Sequence, residues 1–203
     1  MNGSGQLLEV LRESQERGFI GPGPLEPHVQ RALDMAGLLD RPPRRALDLG
    51  SGGGLPGLPL ALQFPSSEWT LLDGSVTRAG FLLDVVERLD LAERVAVRAQ
   101  RAEEAGRGDL RGGFDLVTAR SFGPPATTAE CAAPLLAVGG VLLVAEPPGS
   151  TGERWPEHGL SQLGLILVRT VTEPSAVALL RQERECPSAY PRRNGVPAKR
   201  PLF

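Results

Sequence analysis

The chain has 203 residues, 41% of them hydrophobic and 23% charged, with a formal net charge of −2. That length suits one domain burying about 70% of the surface its unfolded form exposes, and the charge excludes a global pull on nucleic acid, so any RNA contact must come from a local basic patch. Two cysteines, Cys131 and Cys186, without metal-ligand spacing exclude a disulfide framework and a thiolate metal site.

Aromatic residues are only 4% of the chain, so the core is expected to be built from Leu, Val and Ala. In chain order, residues 6–17 place Leu7, Leu8, Val10 and Leu11 at helical spacing, residues 21–24 break the pattern, and a second helix is predicted over 27–39. The first stretch has charges inside its apolar pattern and no later run could span a bilayer, so neither a signal peptide nor a membrane segment is expected and a cytoplasmic protein is. From there short apolar runs alternate with helical ones: 45–49, 69–73, 95–98, 114–119 and 141–145 read as strands, and 58–64, 77–89 and 125–137 as helices. Such alternation implies a parallel sheet with right-handed crossovers. The runs 163–171 and 176–181 are strand-like and too close together for a crossover helix, so they read as a hairpin at the sheet edge. The expected fold is α/β and Rossmann-like, of the class I S-adenosylmethionine-dependent methyltransferase type. It comprises a seven-stranded, mostly parallel sheet with a C-terminal hairpin at 41–203, ending in a basic tail, and a small helical cap at 1–40.

The sharpest local signal is Ala46-Leu47-Asp48-Leu49-Gly50-Ser51-Gly52-Gly53-Gly54-Leu55-Pro56-Gly57, a hydrophobic strand leading into a glycine turn with a helix opening behind it. Glycines suit backbone that takes unusual torsions and lies close to a ligand. A dinucleotide fingerprint needs glycine where Leu55 stands; the spacing here is Gly50, Gly52, Gly54. Asp48 is either a capping residue of the turn or a carboxylate for a cationic ligand, and S-adenosylmethionine carries both an ammonium and a sulfonium. Asp73 ends the next strand, where a carboxylate can take both ribose hydroxyls, or can cap the helix that follows. After the third strand, Ala102 and Glu103 stand where an adenine edge is read, although Glu103 alone could be a solvated helix charge. Three such elements at the ends of three successive strands point to S-adenosylmethionine.

These residues carry a resemblance. LDLGSGGGLPGLPLAL, LLDGSVTRAGFLLDVVERL, FDLVTARSF and the closing YPRRNGVPAKRPL resemble the bacterial small-subunit ribosomal RNA guanine-N7 methyltransferases, the RsmG or GidB family, over roughly residues 40 to 203. The resemblance implies that Gly50 and Leu55 contact S-adenosylmethionine and that Ala102 and Glu103 form the adenine-side pair. It places Arg120 beside cofactor and substrate, and Arg192, Arg193, Lys199 and Arg200 on RNA phosphates. The implied partner is small-subunit ribosomal RNA or the small ribosomal subunit, met by a monomer without a metal. Two departures stand out: the family's Lys-Gly pair after the fifth strand is replaced by Glu146-Pro147, and the Lys-x-Asn-Leu-Thr segment before the first strand is missing.

Guanine N7 carries a free lone pair, so the implied reaction needs no catalytic His or Cys. His28 and His158, the latter in a Pro/Gly-flanked loop, have no partner in sequence and read as surface residues. Arg120 is the catalytic candidate on the substrate side, its planar fork suiting a phosphate or carboxylate. Glu146 reads as a rim charge, or as a ligand for a cationic or amine-bearing substrate. Two alternatives stay open: a methyltransferase for another RNA or a small molecule, and a non-catalytic cofactor-binding relative.

Overall fold

The computed structural model describes residues 3–203; residues 1 and 2 of the expected cap lie outside the described residues. Strands β1 (Arg45–Leu49), β2 (Glu68–Asp73), β3 (Val95–Ala99), β4 (Phe114–Ala119), β5 (Leu136–Ala145), β6 (Leu165–Val171) and β7 (Val177–Gln182) form one sheet in the order β3-β2-β1-β4-β5-β7-β6. The first five are parallel, and β7 runs antiparallel between β5 and β6. This is the expected seven-stranded sheet with its C-terminal hairpin.

Side chains alternate across a strand, and both faces of this sheet are covered. Ala46, Leu71, Leu116 and Leu143 face one core, together with helices α1 (Gly3–Glu16), α2 (Glu26–Ala36), α3 (Gly57–Gln63) and α4 (Val76–Arg88). Leu47, Leu72, Val117 and Leu142 face the other, with α5 (Ala102–Ala105), α6 (Pro125–Ala132) and α7 (Glu157–Leu163); α8 (Val196–Lys199) packs on α6. Among the largest fully buried side chains, all but Trp69, Phe114 and Met35 are leucines. Leu7, Val10 and Leu11 of α1 and Ala32 and Met35 of α2 belong to the first core, and Phe19 meets Phe81 of α4 edge-on at 5.5 Å. Both cysteines are buried, and burial pushes each thiol well above its ordinary pKa, leaving them unreactive.

Two stretches differ from expectation. The helix predicted over 125–137 stops at Ala132, because Pro134 cannot continue it, and β5 begins at Leu136 rather than at residue 141. Residues around His158 form α7, not a loop: Pro156 precedes it, Glu157 opens its first turn and Gly164 closes it in the left-handed region.

The basic tail is a strap against α5 and α6. Arg111 donates to the carbonyls of Cys186, Pro187 and Tyr190, and Arg107 to those of Pro191 and Arg192. The fully buried carboxylate of Glu130 accepts two guanidinium hydrogen bonds and the backbone N–H of Arg192, at 2.6 to 2.9 Å. Leu202 and Phe203 pack onto the second core, with Phe203 lying on Gly159 of α7. Removing the cation from a buried pair leaves an uncompensated charge. Arg192→Ala is therefore expected to lower unfolding free energy in urea by about 3 kcal/mol, while Arg193→Ala on the exposed surface changes it by less than about 0.5 kcal/mol.

Candidate active site

The chain leaves β1 through Gly50 (φ 71°), Gly52 (φ 54°) and Gly54 (φ 99°), all in the region glycine tolerates. The N–H groups of Gly50 and Ser51 donate to the carbonyl of Leu72, fastening the loop to the end of β2. Gly54 serves packing: a Cβ there strikes Leu58. Asp48 is fully buried beneath the loop. Its parallel neighbour on β4, Thr118, donates to Oδ1 at 2.9 Å, and the N–H of Gly57, opening α3, donates to Oδ2 at 3.1 Å. The carboxylate thus does not face the cavity in front of the glycines, as the cationic-ligand reading required; it fixes the loop from below.

Burial pushes the Asp48 carboxyl up to about 6 from 3.8, against the opposing pull of its hydrogen bonds. A folded pKa above the unfolded one means the contribution to stability is complete below the unfolded pKa and is lost as pH rises through about 6. Asp48→Asn keeps both contacts if the Thr118 hydroxyl reverses its role, and it cannot ionise. The unfolding free energy of the variant minus that of the wild type is expected to rise by up to about 3 kcal/mol between about pH 4 and pH 7, measured by denaturant titration at each pH.

In front of the loop lies a cavity of about 600 Å³, lined by Gly50–Gly53, Leu55, Asp73, Arg78, Arg101 and Phe122 and roofed by Phe19 and Ile20. Asp73 accepts from the N–H groups of Gly52 and Ser75, each at 2.8 Å, and from Arg78, whose guanidinium reaches out to solvent. Ala102 and Glu103 are turned inward. The Glu103 carboxylate accepts from Arg101 and from the N–H of Gly195 in the tail, and these hydrogen bonds outweigh its burial and hold its pKa low. Arg101 takes the cavity wall in their place, lying across Gly74.

S-adenosylmethionine fits these residues. The ring of Phe122 rests on Gly50, where a Cβ would come within 2.6 Å of Cδ2, and Nη1 of Arg120 is buried with no hydrogen-bond partner. A buried polar atom without a partner beside a cavity marks a place for a ligand group.

A second cavity, about 570 Å³, opens at the carboxyl ends of β4 and β5 and shares the wall Arg120-Ser121-Phe122 with the first. Ser121 stands at φ 53°, an uncommon torsion for a residue with a Cβ, and turns its neighbours apart. Arg120 meets Nδ1 of His28 at 3.0 Å. His28 is thus no isolated surface residue: burial, then Arg120 and Arg31, lower its pKa and keep its ring neutral to accept. Glu146 is not a rim charge either, since its side chain is 1% exposed and Oε2 accepts from Ser150 at 2.6 Å and Arg154 at 2.8 Å. Trp155, which sequence reasoning passed over, lines the same cavity at 3% exposure with its Nε1–H unpartnered. A larger cavity, about 870 Å³, lies at the other end of the sheet near Arg44 and Arg181. In open parallel sheets ligands enter at the carboxyl ends, where the first two cavities are.

The family model described as GidB, rRNA small subunit methyltransferase G, matches residues 23–148. This chain belongs to that family. A ribosomal RNA small subunit methyltransferase G from Syntrophomonas wolfei is 34% identical, over 95% of this chain and 95% of its own. One from Symbiobacterium thermophilum is 37% identical, over 96% of this chain and 87% of its own. Among solved structures, the T. thermophilus 16S rRNA N2 methyltransferase RsmC with AdoMet and guanosine superposes with a TM-score of 0.51 at 25% identity, over 79% of this chain and 40% of that one. Cofactor-bound Rv0187 from MTB has the same fold, with a TM-score of 0.61 at 19% identity over 89% of this chain and 90% of that one.

In this member of the GidB family the four tail cations divide. Arg192 is committed to Glu130, whereas Arg193, Lys199 and Arg200 are exposed, with no side-chain ion pair among the described residues. His158 is exposed on α7. No helix among the described residues is long and apolar enough to cross a membrane.

Proposed function

We propose that this chain transfers the methyl group of S-adenosylmethionine to N7 of a guanine in small-subunit ribosomal RNA, and so acts in the cytoplasm on the RNA or the small subunit. Family membership supports the reaction, and the observation that carries it into the geometry is the meeting of two cavities at Arg120-Ser121-Phe122. One has the glycine loop and Asp73 for the cofactor; the other has room for a base presented from an unstacked position.

Bound S-adenosylmethionine supplies a methyl carbon on a sulfonium. The chain contributes position and electrostatics. Asp73 holds the ribose hydroxyls, Gly50, Gly52 and Leu55 form the floor, and Arg120 keeps one guanidinium nitrogen unpartnered at the wall shared with the substrate. Guanine N7 attacks with its own lone pair, so no residue has to remove a proton. Residues 1–40 act as the cap of the site: Phe19 and Ile20 roof the cofactor cavity, and Arg31 and Met35 line the other. The exposed cations Arg193, Lys199 and Arg200 contact RNA phosphates.

Small ribosomal subunits from cells lacking the modification, incubated with methyl-labelled S-adenosylmethionine, are expected to yield label as 7-methylguanosine on nuclease digestion. Label elsewhere in the RNA, or only in small molecules, overturns the assignment. Asp73→Ala is expected to weaken cofactor binding at least about tenfold, the worth of a hydrogen-bonded charge, read by calorimetry. Replacing Arg193, Lys199 and Arg200 together by Ala is expected to lower the slope of log affinity for RNA against log salt by about 2, with cofactor affinity unchanged.

A further inference from the structure

The second cavity holds two polar side chains, Glu146 and Trp155, that neither the cofactor nor the methyl transfer uses, and shares Arg120 with the cofactor cavity. Glu146 follows β5 with its side chain almost wholly buried. Ser150 and Arg154 both bind Oε2, which leaves Oε1 without a hydrogen bond among the described residues. Trp155 is packed in the second core, yet its Nε1–H has no acceptor. Nη1 of Arg120, on the wall the two cavities share, is a further buried donor without a partner. Native interiors rarely leave such groups unpaired, because each one costs a lost hydrogen bond. Here Glu146, Trp155 and Arg120 line a single cavity beside the methyl-donor site.

We propose that Glu146 and Trp155 form, with Arg120, the pocket that selects guanine as the reacting base. This rests on the reading of the chain as a guanine-N7 methyltransferase. The Watson–Crick edge of guanine offers one acceptor, O6, beside two donors, N1–H and the N2 amine. Oε1 of Glu146 takes the N2–H and lies against the N1–H, and the Trp155 and Arg120 donors take O6. N7 lies on the other side of O6 and stays free. Adenine reverses this pattern, setting the N1 lone pair against a carboxylate and leaving the donors unmatched. A site whose buried polar groups go unpaired rejects the wrong base strongly. Ser150 and Arg154 act as positioning residues, since their bonds to Oε2 orient Oε1.

The test is a comparison of bases, because a merely structural carboxylate would lower activity on every base alike. Small subunits are reconstituted with RNA carrying either guanosine or inosine at the methylated position; inosine keeps N7, O6 and N1–H but lacks the N2 amine. Wild-type protein is expected to lose at least about tenfold in kcat/KM on inosine, and Glu146→Ala is expected to treat the two alike, with cofactor affinity unchanged. Glu146→Gln, which keeps the side-chain shape, repeats the comparison should Glu146→Ala fail to fold; it is expected to show a reduced preference. A variant that keeps the full preference for guanosine overturns the pocket while leaving the methyltransferase reading intact. Failure of the wild-type protein to methylate guanosine subunits overturns that reading and the pocket with it.

Discussion

The carboxylate of Asp48 accepts one hydrogen bond from Thr118 on β4 and one from the backbone of Gly57 at the start of α3, and the cofactor loop is built around these two contacts. The loop has to leave the central strand, turn through three left-handed glycines and return into a helix, all within one strand spacing of β2. An apolar side chain at Asp48 could not hold both the sheet and the helix. A larger residue at Gly57 would collide with Asp48 itself, since a Cβ there falls 2.6 Å from Oδ2. Asp73 does the corresponding work from β2, taking the N–H of Gly52. The loop therefore hangs between two buried acids, Asp48 beneath it and Asp73 at the wall of the cavity in front of it.

From this anchored loop the site extends sideways. Phe122 can lie on Gly50 because the loop presents backbone without a side chain, and the left-handed Ser121 sends Arg120 and Phe122 to a wall that two cavities share. Arg120 is held in that wall by a neutral histidine from the cap rather than by an acid. A carboxylate partner would have bound the guanidinium more tightly and consumed more of its donors. The weaker acceptor leaves Nη1 free.

The tail illustrates how charge of one sign is sorted by burial. Arg107, Arg111 and Arg192 are used up on backbone carbonyls and on Glu130, and they hold the strap against α5 and α6. Glu103 is engaged in the same way by Gly195. Arg193, Lys199 and Arg200, without a side-chain ion pair among the described residues, stay on the exposed surface.

Much of this protein was readable from residue order. Strand and helix alternation is a local property of apolar spacing, and it located all seven strands and the hairpin; the glycine spacing separated this loop from a dinucleotide turn. The motifs around Gly50, Arg120 and the tail carried the family. Other features had no local signal. Two acids at the ends of successive strands look alike in sequence, yet the pleat buries Asp48 under the loop and leaves Asp73 at its mouth. Four tail cations are equivalent by composition, and only the position of Glu130, 62 residues from Arg192 along the chain, separates them. His28 found a partner 92 residues away, and Glu146 was drawn inside by Arg154. Short-range order follows from periodicity and turn chemistry, which act between neighbours in the chain. Which charges are buried, paired or left open depends on groups that only the folded chain brings together.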